Sequence, residues 1–213
     1  MVALDREFSQ LRTLIPENGM LGGNRIVLSR CGIGKVNAAA GTCRLIKDYA
    51  PDFIISTGCA GGLGKDVRVM DIVVAQSLVY HDVWCGEGNK YGQVQGLPER
   101  FSSDPALVQK LKESAKTQGG ARIHYGLMCS GDRFIQSREE EEAILRRFPE
   151  GLAVDMESCA IAQVCHIESV PFLGFRLISD SPSDDNRFAQ YENFWETVAD
   201  NSFAFVRSLL ENL

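Results

Sequence analysis

Short apolar runs set between helical stretches constrain this chain more than any other feature. Residues 25–29 (RIVLS), 53–56 (FIIS), 71–75 (DIVVA), 122–128, 152–154 and 171–179 each read as a strand, too short for a buried helix and mostly rich in Val, Ile or Leu. Helical patterns separate them. Leu4, Phe8, Leu11 and Ile15 follow helical spacing, so a helix starts near Asp5. Residues 36–49 form a small-residue helix stopped by Pro51. Asp104-Pro105 opens a helix running to about 118, and Ser137-x-x-Glu140 is a capping box for one ending near Arg147. Further helices cover about 157–166 and 192–213. Glycine turns or loops cover 31–35 (CGIGK) and 58–64 (GCAGGLG), and 81–98 is a long polar loop. Apolar strands alternating with helices give a layered α/β protein whose sheet is buried on both faces.

At 213 residues and 45% hydrophobic, with no repeat and no linker, the chain is expected to be one domain, 1–213. A disordered chain is excluded. No apolar stretch reaches the ~18 residues of a membrane span, and the charged start, Asp5-Arg6, predicts no leader peptide. With 22 basic against 28 acidic residues, the chain is a poor partner for nucleic acid. Its seven cysteines are scattered, without a Cys-x-x-Cys pair, and only three histidines accompany them. That predicts buried thiols in a reducing cytoplasm, and neither a metal site nor a cofactor.

Ligands of layered α/β proteins gather at strand carboxyl ends. Four such ends carry unusual residues. Thr57-Gly58-Cys59-Ala60-Gly61-Gly62 follows FIIS; it suits either a tight turn or a backbone that approaches a ligand. It is not a dinucleotide or phosphate-loop motif. Ser130-Gly131-Asp132-Arg133-Phe134-Ile135 follows the strand ending at 128; Phe134 and Ile135 suit core packing or a flat base. Met156-Glu157 enters a helix, where a carboxylate complements the dipole or accepts two vicinal hydroxyls. Ser179-Asp180 ends the strand that carries Arg176, a charge that must be paired or used.

Taken in order, CGIGKVNAA, ISTGCAGGL, SGDRFI, VDMESCAIAQVC and FRLISD resemble the nucleoside phosphorylase/nucleosidase superfamily. Within it they are most similar to the 5′-methylthioadenosine/S-adenosylhomocysteine nucleosidases. The likeness runs from about Ala3 to the C-terminus. It implies a three-layer α/β/α sandwich around a twisted mixed sheet, usually in homodimers. It also implies hydrolysis of an N-glycosidic bond, releasing adenine and a thioribose.

That reaction needs an acid at the base, an activated water under the anomeric carbon and a grip on the ribose. The resemblance assigns Asp180 as the acid, which burial would keep protonated. It assigns Glu7 to the water, although helix spacing alone would leave Glu7 on a solvated face. Glu157 matches the ribose-binding carboxylate, and Met156 lines the sugar. Phe134 stacks on adenine, and the backbone of Ile135 meets its edge. Arg176 and Ser179 orient the acid loop, and Gly61 covers sugar and water.

Cys59 stands where the family usually has serine, a stronger donor. The loop 81–96 keeps Tyr80-His81-Asp82 and Tyr91-Gly92-Gln93 but differs at Trp84, Cys85 and Gln95. In the family this loop helps a neighbouring subunit cover the 5′ group. Family members also begin with a full strand, of which Met1 to Ala3 remain, and carry a hairpin for which residues 16–24 are short. Either the chain is a compact variant that holds Glu7 another way, or its start is truncated. Three rivals stay open: a phosphorylase, with Arg30 as phosphate ligand; a nucleosidase for another adenosine derivative; and an inactive nucleoside-binding protein.

Overall fold

The structure, a computed structural model, describes residues 1–115, 122–180, 187–197 and 204–212. Helix α1 (Asp5–Leu14) forms where the spacing predicts, burying Leu11 together with Glu7. The shortened hairpin is present in miniature. Its strands β1 (Met20–Leu21) and β2 (Asn24–Arg25) have two residues each and meet around Gly22-Gly23.

The strand expected over 25–29 is not formed beyond Arg25. Strands exist only through partners, and this segment finds them only at its ends. Ile26 donates to Gly19 O at 2.8 Å, and Val2 pairs in parallel with Arg30. Helix α2 (Lys35–Tyr49) stops at Ala50, which is left-handed, just before Pro51.

After β3 (Ile54–Ser56) comes a second correction. The loop expected over 58–64 contains a strand, β4 (Cys59–Gly62), paired on both sides. Its small residues are a packing requirement. A Cβ at Gly61 would lie 3.3 Å from Val154 Cγ1, and one at Gly62 3.3 Å from Ile178 Cγ2.

The remaining elements are β5 (Ile72–Tyr80), β6 (Phe101–Ser102), α3 (Pro105–Ala115), β7 (Ile123–Ser130), α4 (Arg138–Arg147), β8 (Gly151–Asp155), α5 (Ser158–Ile167), β9 (Phe172–Asp180), α6 (Arg187–Thr197) and α7 (Ala204–Asn212). Asp104 Oδ1 caps α3 by accepting from the nitrogens of Ala106 and Leu107. The Ser137–Glu140 capping box opens α4 as expected. The single helix expected over 192–213 corresponds to α6 and α7, while 198–203 lie outside the described residues.

Among the described residues, seven strands form one mixed sheet in the order β3-β9-β4-β8-β7-β5-β6. β9 also pairs with β5, which closes β9, β4, β8, β7 and β5 into a ring. Alternate residues serve opposite layers. Val73 and Ala75 pack with Ala38 and Leu45 of α2 and with α5, while Ile72 and Val74 pack with Leu11, Leu111 and Leu209 of α1, α3 and α7. The carboxyl ends of β8 and β9 meet across β4, where Gly61 pairs with both Val154 and Asp180.

Candidate active site

That junction opens into a cleft of about 630 Å³, counting its mouth. Glu7 reaches it from α1 and is 2% exposed. Its Oε2 accepts the backbone N–H groups of Ala3 and Leu4, both at 3.0 Å. Its Oε1 accepts the N–H of Cys59 at 2.9 Å, with the Cys59 sulfur at 3.4 Å. Gly58 has φ +145°, and a Cβ there would collide with the Glu7 carboxylate. Glu7 is therefore held from two sides, by its own turn and by the start of β4. The Cys59 thiol is pushed well above its usual pKa by burial and by the neighbouring Glu7 charge, so it stays an S–H donor.

Asp180 ends β9 and is 3% exposed. The Ser179 hydroxyl lies 2.8 Å from Asp180 Oδ2 and 3.2 Å from Ala60 O. A Cβ at Gly61 would stand 3.1 Å from Asp180 Oδ1, so glycine keeps that oxygen accessible. Cys59 and Gly61, two residues apart on β4, thus face the two carboxylates.

Glu157 precedes α5 and accepts the N–H of Gly34 at 2.8 Å. Burial first, then the Asp155 charge, raises its pKa to about 7, against the lowering effects of the Gly34 N–H and Arg176. Met156 is half-buried beside it, and Ile135 is buried. Phe134 is 38% exposed and meets Tyr191 edge-on, with centroids 5.7 Å apart.

Of the ten residues singled out from the sequence, Glu7, Cys59, Gly61, Phe134, Ile135, Met156, Glu157, Ser179 and Asp180 all line this cleft. Arg176 does not. Its guanidinium sits behind the wall, 2.9 Å from Asp155 Oδ2 and 2.9 Å from Ser56 Oγ, and donates to Phe175 O. Asp155 also accepts from Ser130 Oγ at 2.5 Å and from the Ser158 nitrogen. The charge inside the strand is thus paired.

Sequence reasoning missed Asp155, Ile33, Arg133 and Tyr191, which also line the cleft. Asp155 carried the same signal as Arg176, a charge in an apolar run. Ile33, half-exposed inside a glycine turn, carried a weaker one, and Tyr191 on α6 carried none. Among the described residues no group of three or more His, Cys, Asp or Glu side chains could hold a metal, and no helix is long and apolar enough to cross a membrane.

A sequence model of the phosphorylase superfamily matches residues 6–211. A 5′-methylthioadenosine/S-adenosylhomocysteine nucleosidase of Geobacillus thermodenitrificans is 42% identical over 90% of this chain and 81% of its own length. This chain belongs to that nucleosidase family, within the phosphorylase superfamily. A Haemophilus influenzae nucleosidase of the same name is 38% identical over 98% of this chain and 91% of its own. The crystal structure of the nucleosidase from Neisseria meningitidis, in complex with methylthio-immucillin-A, superposes with a TM-score of 0.93 at 39% identity, covering 100% of this chain and 97% of that one. A futalosine hydrolase of Helicobacter pylori is similar at a TM-score of 0.88 and 28% identity, covering 100% and 96%. The mixed sheet with helices on both faces is the nucleosidase fold, and the cleft lies where its motif residues converge.

Proposed function

We propose that this chain hydrolyses the N-glycosidic bond of 5′-methylthioadenosine and S-adenosylhomocysteine, with Asp180 as acid and Glu7 as the base that activates water. The carrying observation is that both carboxylates line one cleft, facing Cys59 and Gly61 of the same strand. Cleavage builds positive charge on the sugar and negative charge on the base. Asp180, aligned by Ser179, protonates the departing adenine. Glu7, fixed by backbone N–H groups, removes a proton from the attacking water. Cys59 steadies Glu7, and Gly61 leaves room for sugar and water. Glu157 accepts the ribose hydroxyls and Met156 packs on the sugar. Phe134 stacks on adenine, with the Ile135 backbone at its edge. Arg176 serves through Asp155, neutralising it so that the loop carrying Met156 and Glu157 stays in place.

Phosphate as nucleophile fits poorly. Glu7 would repel it. Arg133 is the one cation lining the cleft among the described residues, and it is paired with Glu140 at 2.6 Å. Arg30 is paired with Asp5 at 3.0 Å, outside the cleft. The test is adenine release from methylthioadenosine, adenosylhomocysteine and inosine, with and without phosphate. Release from the first two in phosphate-free buffer is expected, and strict phosphate dependence overturns the hydrolase. The likeness to the futalosine hydrolase supports a second reading, another adenosine derivative as substrate. Faster turnover of such a derivative in the same assay would favour it.

The chain acts as one domain, 1–213, in this reading. Exposed Ile33, Val36 and Trp84 support a homodimer, which sedimentation at micromolar concentration tests. Seven free thiols support a cytoplasmic setting.

A further inference from the structure

The turn that opens α2 touches both halves of the cleft through consecutive backbone groups. The Gly34 N–H donates to Glu157 Oε1 at 2.8 Å, on the sugar side. The Lys35 N–H donates to Asp132 Oδ1 at 2.7 Å, two residues before Phe134 in the base loop. A third segment joins them. Lys35 Nζ lies 3.0 and 2.9 Å from the two carboxylate oxygens of Asp82, and 3.9 Å from Asp132 Oδ2. Asp82 Oδ2 also accepts the Asp132 N–H at 2.9 Å. The approach is close: a Cβ at Gly34 would lie 2.9 Å from Asp132 Oδ1, and one at Gly131 2.8 Å from Asp82 Cγ.

We propose that Lys35 is a positioning residue that couples the ribose grip to the base grip. It lies outside the cleft lining, so it acts through others. Partly exposed ion pairs add little to overall stability, which leaves geometry as what this contact supplies. Its charge-assisted bonds are directional, and two carboxylates share its ammonium. Without that ammonium, Asp82 and Asp132 repel each other, and the loop bearing Phe134 moves off the turn that holds Glu157. The inference rests on the nucleosidase reading, since it assigns the two sides of the cleft to sugar and base.

The experiment compares Lys35→Met, Lys35→Arg and the double variant Lys35→Met/Asp82→Asn in adenine-release kinetics and in calorimetric binding of adenine. Lys35→Met is expected to raise KM about tenfold with kcat changed less than about twofold, because Glu7 and Asp180 are untouched. Adenine binding weakens in the same variant. Lys35→Arg stays near the parent KM. In the double variant, loss of the Asp82 charge removes the repulsion and recovers part of the KM. If Lys35→Met does not fold, Lys35→Gln, which also removes the ammonium, reads the same contact through the same rise in KM. An unchanged KM, a fall in kcat alone, or a double variant worse than Lys35→Met overturns the proposal. Adenine binding needs no turnover, so a parent that binds adenine without releasing it from nucleosides fails the nucleosidase reading and leaves the coupling to be judged by calorimetry.

Discussion

The carboxylate of Glu7 and Cys59 meet twice, through the backbone N–H at 2.9 Å and the thiol at 3.4 Å, although they are 52 residues apart. The backbone contact survives any side chain, so substitutions at 59 isolate the thiol. Cys59→Ser supplies a stronger donor and is expected to match or exceed the parent kcat/KM by up to about threefold. Cys59→Ala lowers it about three- to tenfold, the scale of one weak hydrogen bond. Parent-like kinetics in the alanine variant would remove the thiol from the site.

Loss of either carboxylate, the proposed acid Asp180 or the proposed base Glu7, is expected to cost about 10²–10⁴ in kcat. Asp180→Asn preserves the shape at the end of β9 and should unfold near the parent temperature. Glu7→Gln folds too, but its amide nitrogen must face donors that the carboxylate accepted, so it loses roughly 1–3 kcal/mol. Stopped assays paired with thermal unfolding check both, and full turnover in either variant refutes that residue's role.

Glu157 makes stability fall as pH rises. Its folded pKa of about 7 lies above the ordinary glutamate value of 4.5, so between these pH values the native state binds more protons. The stability it contributes is complete below 4.5 and lost as pH passes through about 7. Glu157→Gln keeps the Gly34 bond and removes the charge. It should therefore be more stable than the parent at pH 8, by at most about 3 kcal/mol, with the gap closing toward pH 4.5. Urea unfolding at several pH values measures this. The same ionisation should let kcat/KM for nucleosides rise with pH through about 7, because the ionised carboxylate is the better acceptor for ribose hydroxyls.

Arg176→Met strands the buried Asp155 carboxylate and is expected to cost about 3–5 kcal/mol. Adding Asp155→Leu should recover part of that loss, since the pair is then replaced by apolar groups. A single variant as stable as the parent would show that Ser130 and Ser158 suffice to hold Asp155.

Phe134→Ala removes an aromatic face at the mouth of the cleft. Base stacking of about 1–3 kcal/mol implies a rise in KM of about 5- to 150-fold, with a parallel loss of adenine affinity by calorimetry. An unchanged adenine affinity would return Phe134 to a packing role against Tyr191.

The helices of this chain were legible because their signals are local. Asp104, the Ser137–Glu140 box and Pro51 lie within a turn of the backbone groups they satisfy or exclude. The motif residues were legible through their order along the chain. β4 was misread because its glycines look like a loop until Val154 and Ile178 crowd against them. The stretch at 25–29 was misread in the opposite sense, because strand propensity cannot supply a neighbour.

The sequence by itself determined an α/β protein, the family it resembles and nine residues of the cleft. Only the tertiary structure decided that Glu7 is buried, that Arg176 spends its charge on Asp155 rather than lining the cleft, and that the consecutive N–H groups of Gly34 and Lys35 reach Glu157 and Asp132. Helix spacing and caps act over four or five residues. The bonds to Glu7, Asp155 and Glu157 join groups up to 123 residues apart, and a buried charge has no defined state until such partners surround it.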